Sequence, residues 1–304
     1  MFLRGSGLYR IVLKPLTMLL SRILRMDEEL CAYIVLGNIG GYPVGARLLA
    51  QAVEERRISE RDAGRLLCCC FGSGPSFVIG IVGMRVFESA AVGGAVFAAC
   101  FMASLVIAAA VRARGEITLL GKSDSAAPSA ECFIGSVMTG ARVMFTVCAM
   151  ITAFSVMIAF AEEAGLLRLF AKAAQGLGAG ADSAGILPAL LEVSRIGGLS
   201  GDSALCVPLC AGMLSLGGVC VLLQVAALSG KIPLRCFLLS RLPAAALSAA
   251  FSVPACFIPR AAAAALPAGG SFRAFSAGAA VSVCVLIMSG ILLAGNIRVT
   301  RGGK

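Results

Sequence analysis

Glu192, Ser194 and Arg195 are the residues of this chain best suited to chemistry. Leu187 to Leu191 lead up to them without a charge, and the glycine-rich stretch Ile196-Gly197-Gly198-Leu199-Ser200-Gly201-Asp202 follows. A carboxylate at membrane depth is expensive, and by default it is a candidate for holding an ion or a solute. Arg195 stands three residues further on, so an internal ion pair across one helix face is the competing reading; both stay open. Asn38 offers donors and an acceptor a few residues ahead of Pro43 and Gly45. Ser73 and Ser76 flank Gly74-Pro75, and a hydroxyl beside glycine combines a polar group with backbone that a ligand can approach. Gln224 is a polar residue inside an apolar run; it suits a solute contact or a hydrogen bond between helices. Arg142 interrupts another apolar run, where snorkelling or pairing with Glu131 is the favoured reading. The candidate binding set is therefore Asn38, Pro43, Gly45, Ser73, Gly74, Pro75, Ser76, Glu192, Ser194, Arg195 and Gln224.

Other chemistries find little support. The chain has no histidine, which removes serine-protease triads, the common metal-hydrolase sites and histidine proton relays. Its 13 cysteines fall mostly inside apolar runs, as small packing residues do. Cys206 and Cys210 would share a helix face, with nothing to complete a metal site. No nucleophile–base pair and no Walker-type phosphate loop is present. The expectation is a non-enzyme without cofactor or metal. The net charge of +10 comes without basic runs interleaved with aromatics, which argues against nucleic acid. Lys and Arg in loops that face the cytoplasm and anionic lipids explain it.

The elements that must position these residues are membrane helices. Hydrophobic residues make up 59% of the chain and charged ones 14%, against about 25% charged in soluble domains. Mean hydropathy is +0.94. A span needs about 20 apolar residues; runs at Ser89 to Val111, Cys132 to Ala161, Ser203 to Ser229, Leu242 to Pro259 and Ala274 to Ile297 meet that need. Met1 to Met26 mixes arginines with leucines and reads as an amphipathic interfacial helix rather than a secretory signal. Leu30 to Ala46 holds Gly37, Asn38, Gly40, Gly41, Pro43 and Gly45, which predicts a broken helix with an unwound centre. Ser59 with Asp62 predicts a cap opening the next helix. Leu66 to Met84 is split at Gly72-Ser73-Gly74-Pro75-Ser76, as a re-entrant hairpin, a second broken helix or one kinked crossing. Ser203 to Ser229 is one tilted helix or two half-helices meeting near Gly217. Lys231 to Arg241 reads as a basic loop.

The order of these elements recurs. Gly7-Leu8-Tyr9-Arg10-Ile11-Val12-Leu13-Lys14 returns as Gly165-Leu166-Leu167-Arg168-Leu169-Phe170-Ala171-Lys172. Each copy precedes two interrupted apolar segments and a spanning helix. Interrupted segments at corresponding places in two halves point to a transport-type site. The expected fold is an all-α polytopic membrane protein of two pseudo-symmetric repeats with broken or re-entrant helices, the first lacking its leading helix. Residues 1–114 form the first repeat, 115–130 a linker, 131–259 the second repeat, and 260–304 a loop, a final transmembrane helix and a basic tail expected in the cytoplasm.

The segments Gly41-Tyr42-Pro43-Val44-Gly45-Ala46-Arg47, Gly74-Pro75-Ser76-Phe77-Val78-Ile79-Gly80, Leu191-Glu192-Val193-Ser194 and Gly217-Gly218-Val219-Cys220-Val221-Leu222-Leu223-Gln224-Val225 resemble, in that order, the nucleoside-recognition (Gate) domain family. Within it they are most similar to the YlbJ group of sporulation integral membrane proteins. The resemblance covers most of 7–251. It implies a multi-pass protein of the bacterial inner membrane with a role in endospore formation, in cortex assembly, and kinship with nucleoside transporters and ferrous-iron permeases. The chain departs from the pattern at Phe71 and Gly72, where asparagine is expected before the Gly-Pro turn, and at Leu222, where a polar residue is common. Two readings follow: a transporter-like core that binds or moves a small solute or ion, and a non-transporting membrane scaffold for spore envelope or cortex assembly. The expected partners are the lipid bilayer, a small solute or ion, and a membrane protein or second copy of the chain.

Overall fold

The computed structural model describes residues 12–121, 130–176, 183–199 and 206–258. The described residues are helical, with no strand among them. The first half holds α1 (Lys14–Leu24), α2 (Glu28–Gly40), α3 (Tyr42–Glu54), α4 (Glu60–Leu67), α5 (Pro75–Val86, π-wound from Val78) and α6 (Ala90–Ala113). The second holds α7 (Ala130–Glu163), α8 (Leu166–Gly176), α9 (Ser183–Leu191), a 3-10 turn (Val193–Gly198), α10 (Cys206–Leu216), α11 (Val219–Leu228) and α12 (Arg235–Ser252), which runs on into a 3-10 turn to Phe257.

Four spans are long and apolar enough to cross a membrane: Ala90–Ala113, Ile134–Glu163, Cys206–Leu228 and Arg235–Phe257. They differ in depth within the protein. The Cys206–Leu228 window is 61% buried and forms the centre, whereas that of Ile134–Glu163 is 17% buried. On α7 the large side chains Ile134, Met138, Phe145, Val156 and Phe160 face outward. So much exposed apolar surface suits lipid and not water. Arg142 is exposed on the same helix. Around the centre α12 packs on α10, α6 on α12 and α5, and α11 on α3 and α7. Gly83 and Gly93 let the α5 and α6 backbones touch, since a methyl on Gly93 would stand 2.8 Å from Gly83 Cα.

Local chemistry sets the element ends. Ser59 Oγ accepts from Asp62 N at 3.1 Å, the predicted cap of α4. α1 buries Thr17, Leu20 and Leu24 and exposes Lys14 and Arg22 beside Met18 and Leu19, an amphipathic helix; its upstream residues lie outside the described ones. Two boundaries differ from expectation. The break in Leu30 to Ala46 is no unwound centre: α2 stays helical through Gly37, Asn38 and Gly40, and the chain turns at Gly41 alone, φ 89°. The segment Lys231 to Arg241 is a loop only to Leu234, because α12 starts at Arg235. Pro243 sits inside α12, leaving one carbonyl of the preceding turn without its donor. The final helix at Ala274 to Ile297, the basic tail and residues 122–129 of the linker lie outside the described residues.

Candidate functional site

The breaks approach one another in two pairs. In the first half, a methyl on Gly74 would stand 3.1 Å from Ile39 O, and one on Gly41 3.7 Å from Gly74 N. The turn between α2 and α3 therefore lies against the turn between α4 and α5. In the second half, a methyl on Gly218 would stand 3.1 Å from Leu190 O and 3.2 Å from Val193 N. There the end of α9 lies against the turn between α10 and α11. That turn is made by Gly217 and Gly218, φ 79° and 31°, conformations that favour glycine. Ser203 to Ser229 is thus two half-helices as far as it is described, and Leu66 to Met84 is broken at 68–74.

Between the pairs stands Arg241, buried to 3% exposure within an apolar span. No carboxylate meets it among the described residues. It donates to Cys68 O, Ser215 O (3.3 Å), Phe237 O (3.3 Å) and Ser240 Oγ (2.9 Å). Cys68 caps the C-terminus of α4, and Ser215 sits in the last turn of α10. Helix C-termini carry unpaired carbonyls and partial negative charge, so a guanidinium shared by two of them neutralises both. Its planar group also lies 4.5 Å from the Phe71 ring centre and 4.6 Å from that of Phe237, a cation–π sandwich. Phe71 packs at 4.7 Å on Tyr42 and fills the space that a side chain on Gly217 would need. Tyr42 donates to Leu214 O at 2.7 Å, another end carbonyl of α10. Phe71, Tyr42 and Arg241 thus link the two pairs.

The first pair uses its polar groups internally. Asn38, 2% exposed, donates to Ile34 O (2.8 Å) and Cys69 O (2.9 Å) and accepts from Ser104 Oγ (3.1 Å). Both amide protons are engaged, so Asn38 ties α2 to the α4 exit and to α6. A methyl on Gly72 would strike Asn38 Oδ1, and one on Gly45 would strike Cys70 O; these glycines serve close packing. Pro43 stands half-buried in the first turn of α3, Gly74 and Pro75 are half-buried, and Ser76 faces outward. Ser73 is the exception: its Oγ is buried and finds no hydrogen-bond partner among the described residues.

The second pair is built around an acid. Glu192 is 1% exposed. As cap of the 3-10 turn it accepts from Ser194 N at 3.0 Å and from Ser194 Oγ. No positively charged side chain pairs with it among the described residues: the ion pair to Arg195 does not form, and the 3-10 turn instead sets the Arg195 N–H on Glu192 O at 3.0 Å. Glu192 lies within electrostatic range of Cys220 in the first turn of α11, a helix N-terminus that favours an anion. Gln224, one turn further along α11 and buried, donates to Cys220 Sγ at 3.3 Å. The structure thus brings Glu192, Ser194 and Gln224 to one corner, and Asn38, Gly45, Ser73 and Gly74 to another. Arg241 was missed in the sequence. Its signal was an arginine amid Cys236-Phe237-Leu238-Leu239 and Leu242 to Leu247, hidden by reading Lys231 to Arg241 as a loop and starting the span at Leu242.

These features define an all-helical membrane protein whose middle is made of apposed broken helices. Over 111 residues the chain is 29% identical to the sporulation integral membrane protein YlbJ of Bacillus subtilis (strain 168). The match covers 36% of this chain and 27% of that protein's length. No family model matches, and no solved structure does.

Proposed function

We propose that the chain is a sporulation-associated protein of the bacterial inner membrane with a Gate-like, transporter-like core that binds or moves a small solute or ion. The observation carrying the solute reading is Glu192: a buried carboxylate whose hydrogen-bond partners among the described residues are the Ser194 hydroxyl and amide, at the apposition of a broken helix and a helix start. Such half-helix ends at membrane depth are where transporters hold solutes and coupling ions. The distant similarity to YlbJ supports the sporulation role, and the two pairs of breaks support a repeated architecture. A cation or a protonated amine is the solute class that a buried carboxylate favours.

The test is solute-induced thermal stabilisation of the purified protein in detergent, across nucleosides, amino acids, cell-wall precursors and metal ions. A ligand raises the unfolding temperature by mass action. One hit lost in Glu192→Gln, with the protein still in membranes, is the expected outcome. A Glu192→Gln variant that is silent in both the screen and a sporulation assay sinks the solute site.

The scaffold reading draws on a specific observation too. Asn38, Gly45 and Gly72 are all occupied in packing, so the first pair of breaks holds helices together. Under that reading sporulation tolerates Glu192→Gln and suffers when the charged segment 54–65, the loop after α3 and the first turns of α4, is neutralised.

A further inference from the structure

A cavity of about 650 Å³ opens between α4, α6 and α12 and reaches the breaks only at Cys68. Each helix contributes one stripe at helical spacing: Arg61 and Arg65 from α4, Ala110 and Arg114 from α6, and Leu239 and Leu247 from α12. All the charged residues lining it are arginines; no carboxylate lines it among the described residues. The arginines gather at one end. Arg61 stands in the first turn of α4 and Arg114 just past the end of α6, and Pro233, in the loop before α12, packs against Gly64 of α4. From there Cys236 to Leu247 runs 11 residues along α12, about 16 Å at 1.5 Å per residue. That length is about half of a 30 Å hydrocarbon core, the depth of one leaflet.

The charges at the open end are unequally used. Arg65 donates to Val111 O (2.9 Å), Gly115 O (2.8 Å) and Glu116 O (3.1 Å), and pairs with Asp62 at 3.1 Å, so it fixes α4 to the end of α6. Glu116 is held by Arg112 at 2.8 Å, and Glu29 by Arg57. These carboxylates being taken, Arg61 and Arg114 are exposed and make no ion pair among the described residues. Two uncommitted guanidiniums thus stand over a leaflet-deep apolar groove. Basic pockets between membrane helices hold anionic headgroups, and an arginine fork matches phosphate geometry.

We infer that this groove is a binding site for an anionic phospholipid, its phosphate on Arg61 and Arg114 and one acyl chain laid along Ala110, Val106, Leu239 and Leu247. The end carrying Arg56, Arg57, Arg61, Arg65, Arg112 and Arg114 then faces the cytoplasm, as arginine-rich loops do. The lipid would join α4, α6 and α12 from outside and so bear on Arg241 and Cys68 just beneath.

The experiment is native mass spectrometry of the full chain in detergent, offered equal amounts of phosphatidylglycerol and phosphatidylcholine. Retention of phosphatidylglycerol by about tenfold or more is expected, the scale of two basic side chains at an anionic headgroup. Arg61→Gln with Arg114→Gln, both on exposed side chains, should bring the two lipids to parity. Ala110→Phe, on an exposed position, should remove the bound lipid by filling the groove. Parity in the unaltered protein overturns the site. So does a preference untouched by either variant, displacement of the lipid by inorganic phosphate, or a dimer that Ala110→Phe breaks in place of lipid loss.

Discussion

The two pairs of breaks share an arrangement and differ in what their polar groups do. In the first, Asn38 reaches two carbonyls and a serine across three elements, and the neighbouring glycines are packed to contact. In the second, Glu192 takes hydrogen bonds, among the described residues, from Ser194 alone, two residues away. One corner is cross-linked over long sequence distances; the other keeps a charge whose partners are local. A buried polar group satisfied on all sides rigidifies a core. A buried carboxylate satisfied only locally retains lone pairs for something else. The difference teaches that a pair of broken helices can be either a fastening or a receptor, and that its partners decide which.

The largest effect is expected from the residue joining the pairs. Arg241→Met would strip Cys68 O and Ser215 O of their donor in the dry centre and cost about 3 kcal/mol, the scale of buried carbonyls left without a hydrogen bond. Thermal unfolding in detergent measures it; Arg241→Lys should recover under half, lacking the planar fork and the stacking on Phe71 and Phe237. Unchanged stability would mean the two corners are independent. Next comes the contrast itself. Asn38→Leu should cost about 2 kcal/mol by orphaning Cys69 O and removing the bond from Ser104, whose hydroxyl keeps Cys100 O as its acceptor, and it should leave any solute response in place. Glu192→Gln should do the reverse, with a stability change under about 1 kcal/mol because the amide oxygen still accepts from Ser194. Interchanged results for Asn38 and Glu192 would exchange the roles of the corners.

Much of this was legible in the residues, and the misses have physical causes. The helical membrane class follows from apolar run lengths, and the cap at Ser59, the turn at Gly217 and the split before Pro75 follow from local backbone chemistry. These depend on neighbours in sequence. The repeat itself was read from sequence alone, and its first copy falls largely outside the described residues. What was illegible depends on neighbours in space. Nothing near Asn38 in sequence announces Cys69 or Ser104, and Arg241 draws its partners from α4 and α10, 173 and 26 residues away. The pairing of Glu192 with Arg195, one of the two readings left open, needs a regular helix; the 3-10 turn puts Ser194 there instead. Phe71, a departure from the Gate pattern, has a reason in this fold: its ring lies against Gly217 and under Arg241.

The smallest effect is expected at Ser73, and it tests the comparison from the other side. Ser73 Oγ is the polar atom of the first corner that finds no partner among the described residues. Removing a buried hydroxyl that makes no hydrogen bond takes away a desolvation penalty and no contact. Ser73→Ala should therefore change stability by less than about 0.5 kcal/mol, or raise it slightly. The same variant is informative in the solute screen. If the first corner only fastens helices, the stabilisation by a solute that depends on Glu192 stays as it was. If that stabilisation falls in Ser73→Ala as well, the hydroxyl is a ligand contact, and the two corners hold one solute between them rather than dividing fastening from binding.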